Sequence, residues 1–259
     1  MSASESRRNQ WFTAPQQGAP ARLRLFCLPN AGGGSAQFHS WARLVPPDIE
    51  VCPIQLPGRE QRLREQPYSR MEPLVEEMVE ALHPVLDVPF AIFGHSLGAW
   101  VGFELARALK RRYQLSPVRL FVSARRAPHL PNPLAPMHHL PEAQFIQELD
   151  RRYNAIPDII RNDREMLDLY LPIIRADLAV LETYTWVDDD PLDCPISVFG
   201  GHQDTGVPRD SLEAWRMHTA RHFELTLFDG DHFFHQSARA TVVQTIGDAL
   251  QDSLAQPTA

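Results

Sequence analysis

Gly94-His95-Ser96-Leu97-Gly98 constrains the fold of this chain more than any other feature. It closes the apolar run Val88-Pro89-Phe90-Ala91-Ile92-Phe93 and opens a helical stretch over residues 97–113. Strand, Gly-x-Ser-x-Gly, helix is the layout of a nucleophile elbow, a tight turn that lifts a serine hydroxyl clear of the backbone. Residues two before and two after such a serine lie so close to neighbouring chain that only a missing Cβ fits, which accounts for Gly94 and Gly98. The pattern alone is a modest signal; its place between strand and helix makes it specific.

Around the elbow, strand and helix patterns alternate. Residues 22–28 read as a buried strand, followed by Pro29-Asn30-Ala31-Gly32-Gly33-Gly34. A helix starting near Ser35 carries Phe38, Trp41 and Leu44. Residues 50–55 form the next strand, and 71–85 space Leu74, Val75, Met78, Val79 and Leu82 at helical period. A strand over 118–123 follows the elbow helix; strands over 195–200 and 223–228 and a helix over 234–254 end the chain. The first residues form a polar tail with an edge strand around Trp11-Phe12-Thr13. Such alternation predicts a parallel sheet with helices on both faces and reactive groups at the carboxyl ends of its strands. Residues 125–184 break the rhythm with Pro128, Pro131, Pro133, Pro136 and Pro141, then two helical segments over 142–153 and 163–182. Pro172 is expected to kink or divide the second. Long insertions in compact domains are usually functional, which favours a lid over about residues 125–185 rather than a decorative excursion from one domain spanning 1–259.

Composition removes several classes of function. Lys+Arg 25 against Asp+Glu 32 gives a net charge of -7, with basic residues scattered, which argues against a nucleic-acid partner. Cys27, Cys52 and Cys194 have no metal or redox spacing and read as small buried residues of a reducing compartment. Residues 1–10 lack the apolar core of a signal peptide, and no run approaches a membrane span. A cytoplasmic monomer without metal or cofactor is the expectation.

Ser96 needs an imidazole to take its proton and a carboxylate to hold that imidazole's tautomer. Of the eleven histidines, His232 lies in Asp229-Gly230-Asp231-His232-Phe233, directly after the last strand. His235 falls within the following helix, and His202 precedes the expected acid. His138 and His139 fall in the insertion, where a surface position is expected, and His95 points away from the serine. Asp204, in Gly200-Gly201-His202-Gln203-Asp204-Thr205-Gly206-Val207, occupies a polar turn at the same sheet edge. Its alternative is an Asx-turn or helix cap, but Asp210 is better placed to cap the helix starting near Pro208. Asp229 and Asp231 are too near His232 in sequence to reach its far nitrogen. Two N–H donors must meet the oxyanion. Leu97, after the nucleophile, supplies one; the loop after the first strand supplies the other, from Ala31 or, second, Asn30. Gly32-Gly33-Gly34 lacks the spacing of a phosphate-binding loop.

The segments 26–34, 55–60, 94–99, 200–207 and 230–234 together resemble type II thioesterases, stand-alone α/β-hydrolases that accompany polyketide and nonribosomal peptide synthases. The resemblance runs from about Trp11 onward. It implies an α/β-hydrolase fold, a mostly parallel twisted sheet with a helical lid. It further implies Ser96, Asp204 and His232 as triad and Ala31 and Leu97 as oxyanion donors. Many members carry an aromatic residue or His at the position of Asn30 and Met at that of Leu97; neither change touches a backbone N–H. The implied reaction is hydrolysis of aberrant or stalled acyl groups held as thioesters on the phosphopantetheine arm of an acyl or peptidyl carrier protein. The insertion matches only loosely, so acyl preference does not carry over.

Residue chemistry alone stops at acyl transfer to water and does not separate thioester from oxygen ester. A carboxylesterase or lipase, and a non-catalytic hydrolase-fold binding protein, are the competing readings. Arg125, Arg126, Arg151 and Arg152 are candidate contacts for an acidic carrier, or ordinary surface charges.

Overall fold

The computed structural model describes residues 10–12, 21–153 and 162–255. Six strands, β1 (Leu23–Leu28), β2 (Ile49–Pro53), β3 (Phe90–His95), β4 (Arg119–Ser123), β5 (Ile196–Gly201) and β6 (Phe223–Phe228), form one sheet in the order β2-β1-β3-β4-β5-β6. Every neighbouring pair is parallel. The alternation of side chains along each strand divides the core into two layers. Leu23, Leu25 and Cys27 face one side with Ala91, Phe93, Phe121 and Phe199. Phe26 and Leu28 face the other with Ile92, Leu120, Val122, Ile196 and Val198.

The helices supply the covers. α1 (Met71–Leu82) buries its stripe of Leu74, Val75, Met78, Val79 and Leu82, and α2 (Leu97–Tyr113) lies beside it on the Phe26 face. The segment Ser35–Arg43 covers the opposite face as a 3-10 helix, where an ordinary helix was expected. Ser35, Phe38 and Trp41 are its buried residues, a spacing of three that matches three residues per turn. Leu44, expected on the helix, falls at its end as the C-cap and is exposed.

α3 (Glu142–Tyr153) and α4 (Arg164–Glu182) make up the helical part of the insertion. Phe145 and Leu149 of α3 and Leu171, Ile174 and Leu178 of α4 join the same core layer as α1 and α2. Pro172 does not divide α4, which runs through it; the Asp163 carboxylate caps its start by accepting from the Met166 N–H at 3.2 Å.

α5 (Arg209–Glu213) has Pro208 at its N-cap, so Asp210 lies in the first turn instead of capping it. The terminal helix is two pieces, α6 (Phe234–Ser237) and α7 (Arg239–Ala255), because Ala238 leaves helical geometry at φ -101, ψ 28. The expected N-terminal edge strand reduces to one antiparallel bridge, Phe12 with Ile54; Thr13 and residues 1–9 lie outside the described residues. Among the described residues no helix is long and apolar enough to cross a membrane.

The chain runs from β1 outward to β2, then returns to place β3 on β1's other side. Strand order therefore reverses between β1 and β3, where open α/β sheets form their ligand crevice. Register pairs Leu28 with Gly94, so loop 29–34 and Ser96 emerge side by side.

Candidate active site

Ser96 sits between β3 and α2 with φ 53, ψ -106, a left-handed conformation that a non-glycine residue adopts only under constraint. The constraint is visible on both sides. A Cβ at Gly94 would stand 2.0 Å from the Gly98 carbonyl oxygen, and one at Gly98 would stand 2.3 Å from the Leu28 carbonyl oxygen. The Ser96 N–H donates to the Ser123 carbonyl at 2.8 Å, and the Gly98 N–H to the Pro29 carbonyl at 3.0 Å. The elbow is thus pinned to both neighbouring strands, with the serine at the positive end of a seventeen-residue helix.

The turn after β6 brings His232 to this serine, its Nε2 3.1 Å from Ser96 Oγ. The turn after β5 brings Asp204, whose Oδ2 lies 2.8 Å from His232 Nδ1. Asp204 Oδ1 accepts the Gly206 N–H at 3.0 Å, so the Asx-turn weighed as an alternative coexists with the histidine contact. The Asp204 side chain is 4% exposed and that of His232 22%, which leaves the imidazole edge open to the crevice. Asp229 and Asp231 do not make this contact: the Asp231 carboxylate accepts the Phe233 N–H at 2.8 Å, shaping the turn.

Two further imidazoles lie under His232. His95 is fully buried, its Nδ1 2.9 Å from Ser123 Oγ and its ring centroid 5.4 Å from that of His232. The His235 ring lies 3.8 Å from that of His95, tilted by 35°, and places Nε2 3.0 Å from Gln37 Oε1. Gln37 donates its own amide to the Gly34 carbonyl at 3.0 Å, which orients Oε1 as acceptor and assigns the proton to His235 Nε2. Burial, then the neighbouring imidazoles, pushes His95 well down, and burial pushes His235 down to about 3. Both stay neutral where His232 must exchange a proton.

Loop 29–34 faces the serine. The Gly33 N–H donates to the Asn30 carbonyl at 2.9 Å, and Asn30 Nδ2 donates to the Ala31 carbonyl at 2.9 Å. Sequence reasoning missed what braces this loop. Glu60 accepts from the Ser35 N–H at 3.0 Å, the Ser35 hydroxyl at 2.6 Å and the Ala36 N–H at 3.0 Å. Burial raises its pKa, but these hydrogen bonds outweigh that and lower it. Arg59 and Asp177 form a buried ion pair, 2.7 Å between Nη2 and Oδ1. The signals were present: Arg59-Glu60 belongs to the segment 55–60, and Asp177 interrupts the apolar stripe of α4.

A cavity of about 300 Å³ opens over Ser96, Asp204 and His232. Tyr153, Leu181 and Glu182 of the insertion form part of its wall. Arg125 also faces it, with the guanidinium 3.9 Å above the Trp100 ring and Nε buried without a hydrogen-bond partner among the described residues. Burial lowers its pKa to about 10. Arg125 therefore faces the cavity, as Arg126, Arg151 and Arg152 do. Arg151 and Arg152 share Glu148, at 2.7 Å each, and only Arg151 is exposed. His138 is not the surface residue expected: its Nδ1 lies 2.6 Å from the buried Glu182 carboxylate, while His139 is exposed.

The cysteines are the small buried residues expected. All three cysteines are buried and unpaired, with thiols pushed up by burial, Cys194 to about 12. Among the described residues no group of His, Cys, Asp and Glu could hold a metal ion.

Known proteins resemble this chain over nearly its whole length. The gramicidin S biosynthesis protein GrsT of Aneurinibacillus migulanus is 44% identical over 247 residues, 95% of this chain and 96% of its own. The protein named linear gramicidin dehydrogenase LgrE, of Brevibacillus parabrevis, is 40% identical over 249 residues, 95% and 94% of the two chains. The solved thioesterase RedJ, from the prodiginine biosynthetic pathway of Streptomyces coelicolor, matches with TM-score 0.82 at 37% identity over 93% of this chain and 98% of that one. A model described as a thioesterase domain matches residues 23–250. Nearly the whole chain is thus accounted for by one enzyme family of the α/β-hydrolase fold, and the chain belongs to the thioesterase family.

Proposed function

We propose that this chain is a type II thioesterase that removes stalled or aberrant acyl groups from the phosphopantetheine arm of acyl or peptidyl carrier proteins. The observation that carries the reading is the hydrogen-bonded series Ser96–His232–Asp204, 3.1 and 2.8 Å, at the switch point of the sheet. His232 Nε2 takes the Ser96 proton as Oγ attacks the thioester carbonyl. The Leu97 and Ala31 N–H groups receive the resulting oxyanion. Collapse expels the pantetheine sulfur, which leaves as a thiol with the proton from His232. Water, activated by the same imidazole, then attacks the acyl-Ser96 ester and releases the acid. Asp204 holds the tautomer and stabilises the imidazolium.

The biosynthetic setting rests on the names of the relatives GrsT and RedJ, and the chemistry asks for no bound cofactor. The dehydrogenase name of LgrE has no counterpart in loop 29–34. The Gly32 N–H is bonded to the Asp177 carboxylate, whose charge would repel the pyrophosphate that such a loop holds in a dinucleotide site. Insertion helices α3 and α4 act as the lid, and Arg126 and Arg151 at the cavity rim are offered as the contacts for an acidic carrier.

Turnover of acyl-carrier protein, acyl-pantetheine and p-nitrophenyl esters tests the reading. The expected order is acyl-carrier first and oxygen ester last, with Ser96→Ala inactive on all three. Preference for the oxygen ester would make the protein a carboxylesterase, and full activity of Ser96→Ala would remove the triad assignment.

A further inference from the structure

We infer that Arg59 and Asp177 are positioning residues that clamp loop 29–34 in its donor geometry and tie that geometry to the insertion helix α4. The inference rests on the reading that the Ala31 N–H receives the oxyanion.

Asp177 uses both carboxylate oxygens. Oδ1 accepts from Arg59 Nη2 at 2.7 Å; Oδ2 accepts from Arg59 Nη1 and from the Gly32 N–H, both at 2.8 Å. Arg59 Nη1 also donates to the Gly33 carbonyl at 2.9 Å. One fork-to-fork pair therefore holds a donor and an acceptor of the loop at once. The peptide between Ala31 and Gly32 is fixed at both ends, its carbonyl by Asn30 and its N–H by Asp177. The peptide before it is fixed through the Asn30 carbonyl, which accepts the Gly33 N–H. In a trans peptide the N–H points opposite to the C=O, so this bond aims the Ala31 N–H away from the turn interior. Gly32 completes the arrangement at φ +72, with the Tyr170 hydroxyl 2.6 Å from where a Cβ would stand.

Stability alone does not account for such a pair. Arg59 is 6% and Asp177 3% exposed, and an ion pair removed from water this fully commonly does no better than apolar residues of equal volume. What apolar residues would not do is hold a donor and an acceptor of a glycine-rich turn, the Gly32 N–H and the Gly33 carbonyl, in register. The pair also joins segments 118 residues apart. Leu181, one helical turn beyond Asp177 on α4, lines the cavity, so a chain that displaces this wall bears on the oxyanion loop through the same helix.

The test is a set of three variants, Arg59→Met, Asp177→Leu and the double, assayed on an acyl-pantetheine thioester with thermal melting alongside. Each single variant leaves one charge buried without its partner and is expected to lower both Tm and kcat. The double variant removes that charge and is expected to regain Tm while kcat stays about 10²-fold down, the size of losing one oxyanion donor. KM should hold near wild type, and affinity for a trifluoromethyl ketone, which forms a tetrahedral adduct on serine, should fall with kcat/KM. Recovery of kcat together with Tm, or unchanged ketone affinity, overturns the clamp. Should the double variant not fold, Arg59→Lys keeps the charge without the fork. It is expected to lose less Tm than either single variant, with kcat at least about tenfold lower, and a wild-type kcat overturns the proposal equally. A wild-type protein without Ser96-dependent thioester turnover would instead defeat the functional reading itself.

Discussion

Asp204 reaches His232 with one oxygen only: Oδ2 lies 2.8 Å from Nδ1, while Oδ1 is held by the Gly206 N–H at 3.0 Å. The carboxylate therefore cannot swing to follow the imidazole and fixes which nitrogen carries the proton. Asp204→Asn keeps the shape but offers an N–H where an acceptor is required. Its kcat on acyl-pantetheine should fall about 10³- to 10⁴-fold with KM little changed. A loss under tenfold would show that tautomer control lies elsewhere.

Acid should destabilise the fold through its buried imidazoles. Burial, followed by the charges of His232 and Arg239, lowers the His235 pKa from 6.5 to about 3, and His95 shifts in the same direction. Between these values the unfolded chain binds protons that the folded chain does not. Their contribution to stability is complete above about pH 6.5 and is lost as pH falls toward 3. Each such proton adds a slope of about 1.4 kcal/mol per pH unit. Melting from pH 7 to 5 should show a falling Tm, with a shallower fall in His235→Gln.

Gly98→Ala puts a methyl group 2.3 Å from a backbone oxygen of β1 that is locked in the sheet. Neither side yields cheaply. The variant should be about 1–3 kcal/mol less stable by denaturant titration and nearly inactive, since relief of the clash moves Ser96 away from His232. Retention of full activity would mean the elbow relaxes without moving the serine.

Carrier docking is tested by Arg126→Glu and Arg151→Glu. Exposed ion pairs contribute about 0.2–1 kcal/mol, so KM for acyl-carrier protein should rise about two- to fivefold per site at low salt. KM for acyl-pantetheine should not change. A parallel rise for both substrates would place these arginines in the acyl pocket rather than at an interface.

The reactive residues were legible because each follows a strand within a short turn: Ser96 after β3, Asp204 after β5, His232 after β6 and Ala31 after β1. One sheet edge collects them, and strand patterns reveal that edge. The clamp was not legible, since nothing local tells Arg59 that its partner lies on α4. Asp177 nonetheless left a trace, a charge three residues after Ile174 on an otherwise apolar stripe. The 3-10 segment escaped because Phe38 and Trp41 suit a helix of either pitch, and Leu44 turns to solvent because the element ends at Arg43. His138 misled for the same reason as Arg59: its partner, Glu182, is 44 residues distant.

The parallel register of Leu28 with Gly94 has a wider consequence. The distance between the serine and its facing loop is set by the hydrogen-bond ladder of two central strands. The wall formed by α3 and α4 is joined to the sheet at β4 and β5, and so stands outside that spacing. Such a division lets the insertion change shape without altering the spacing of the serine from its facing loop. Arg59 and Asp177 are where the two halves meet, and so where a change in the wall first reaches the chemistry.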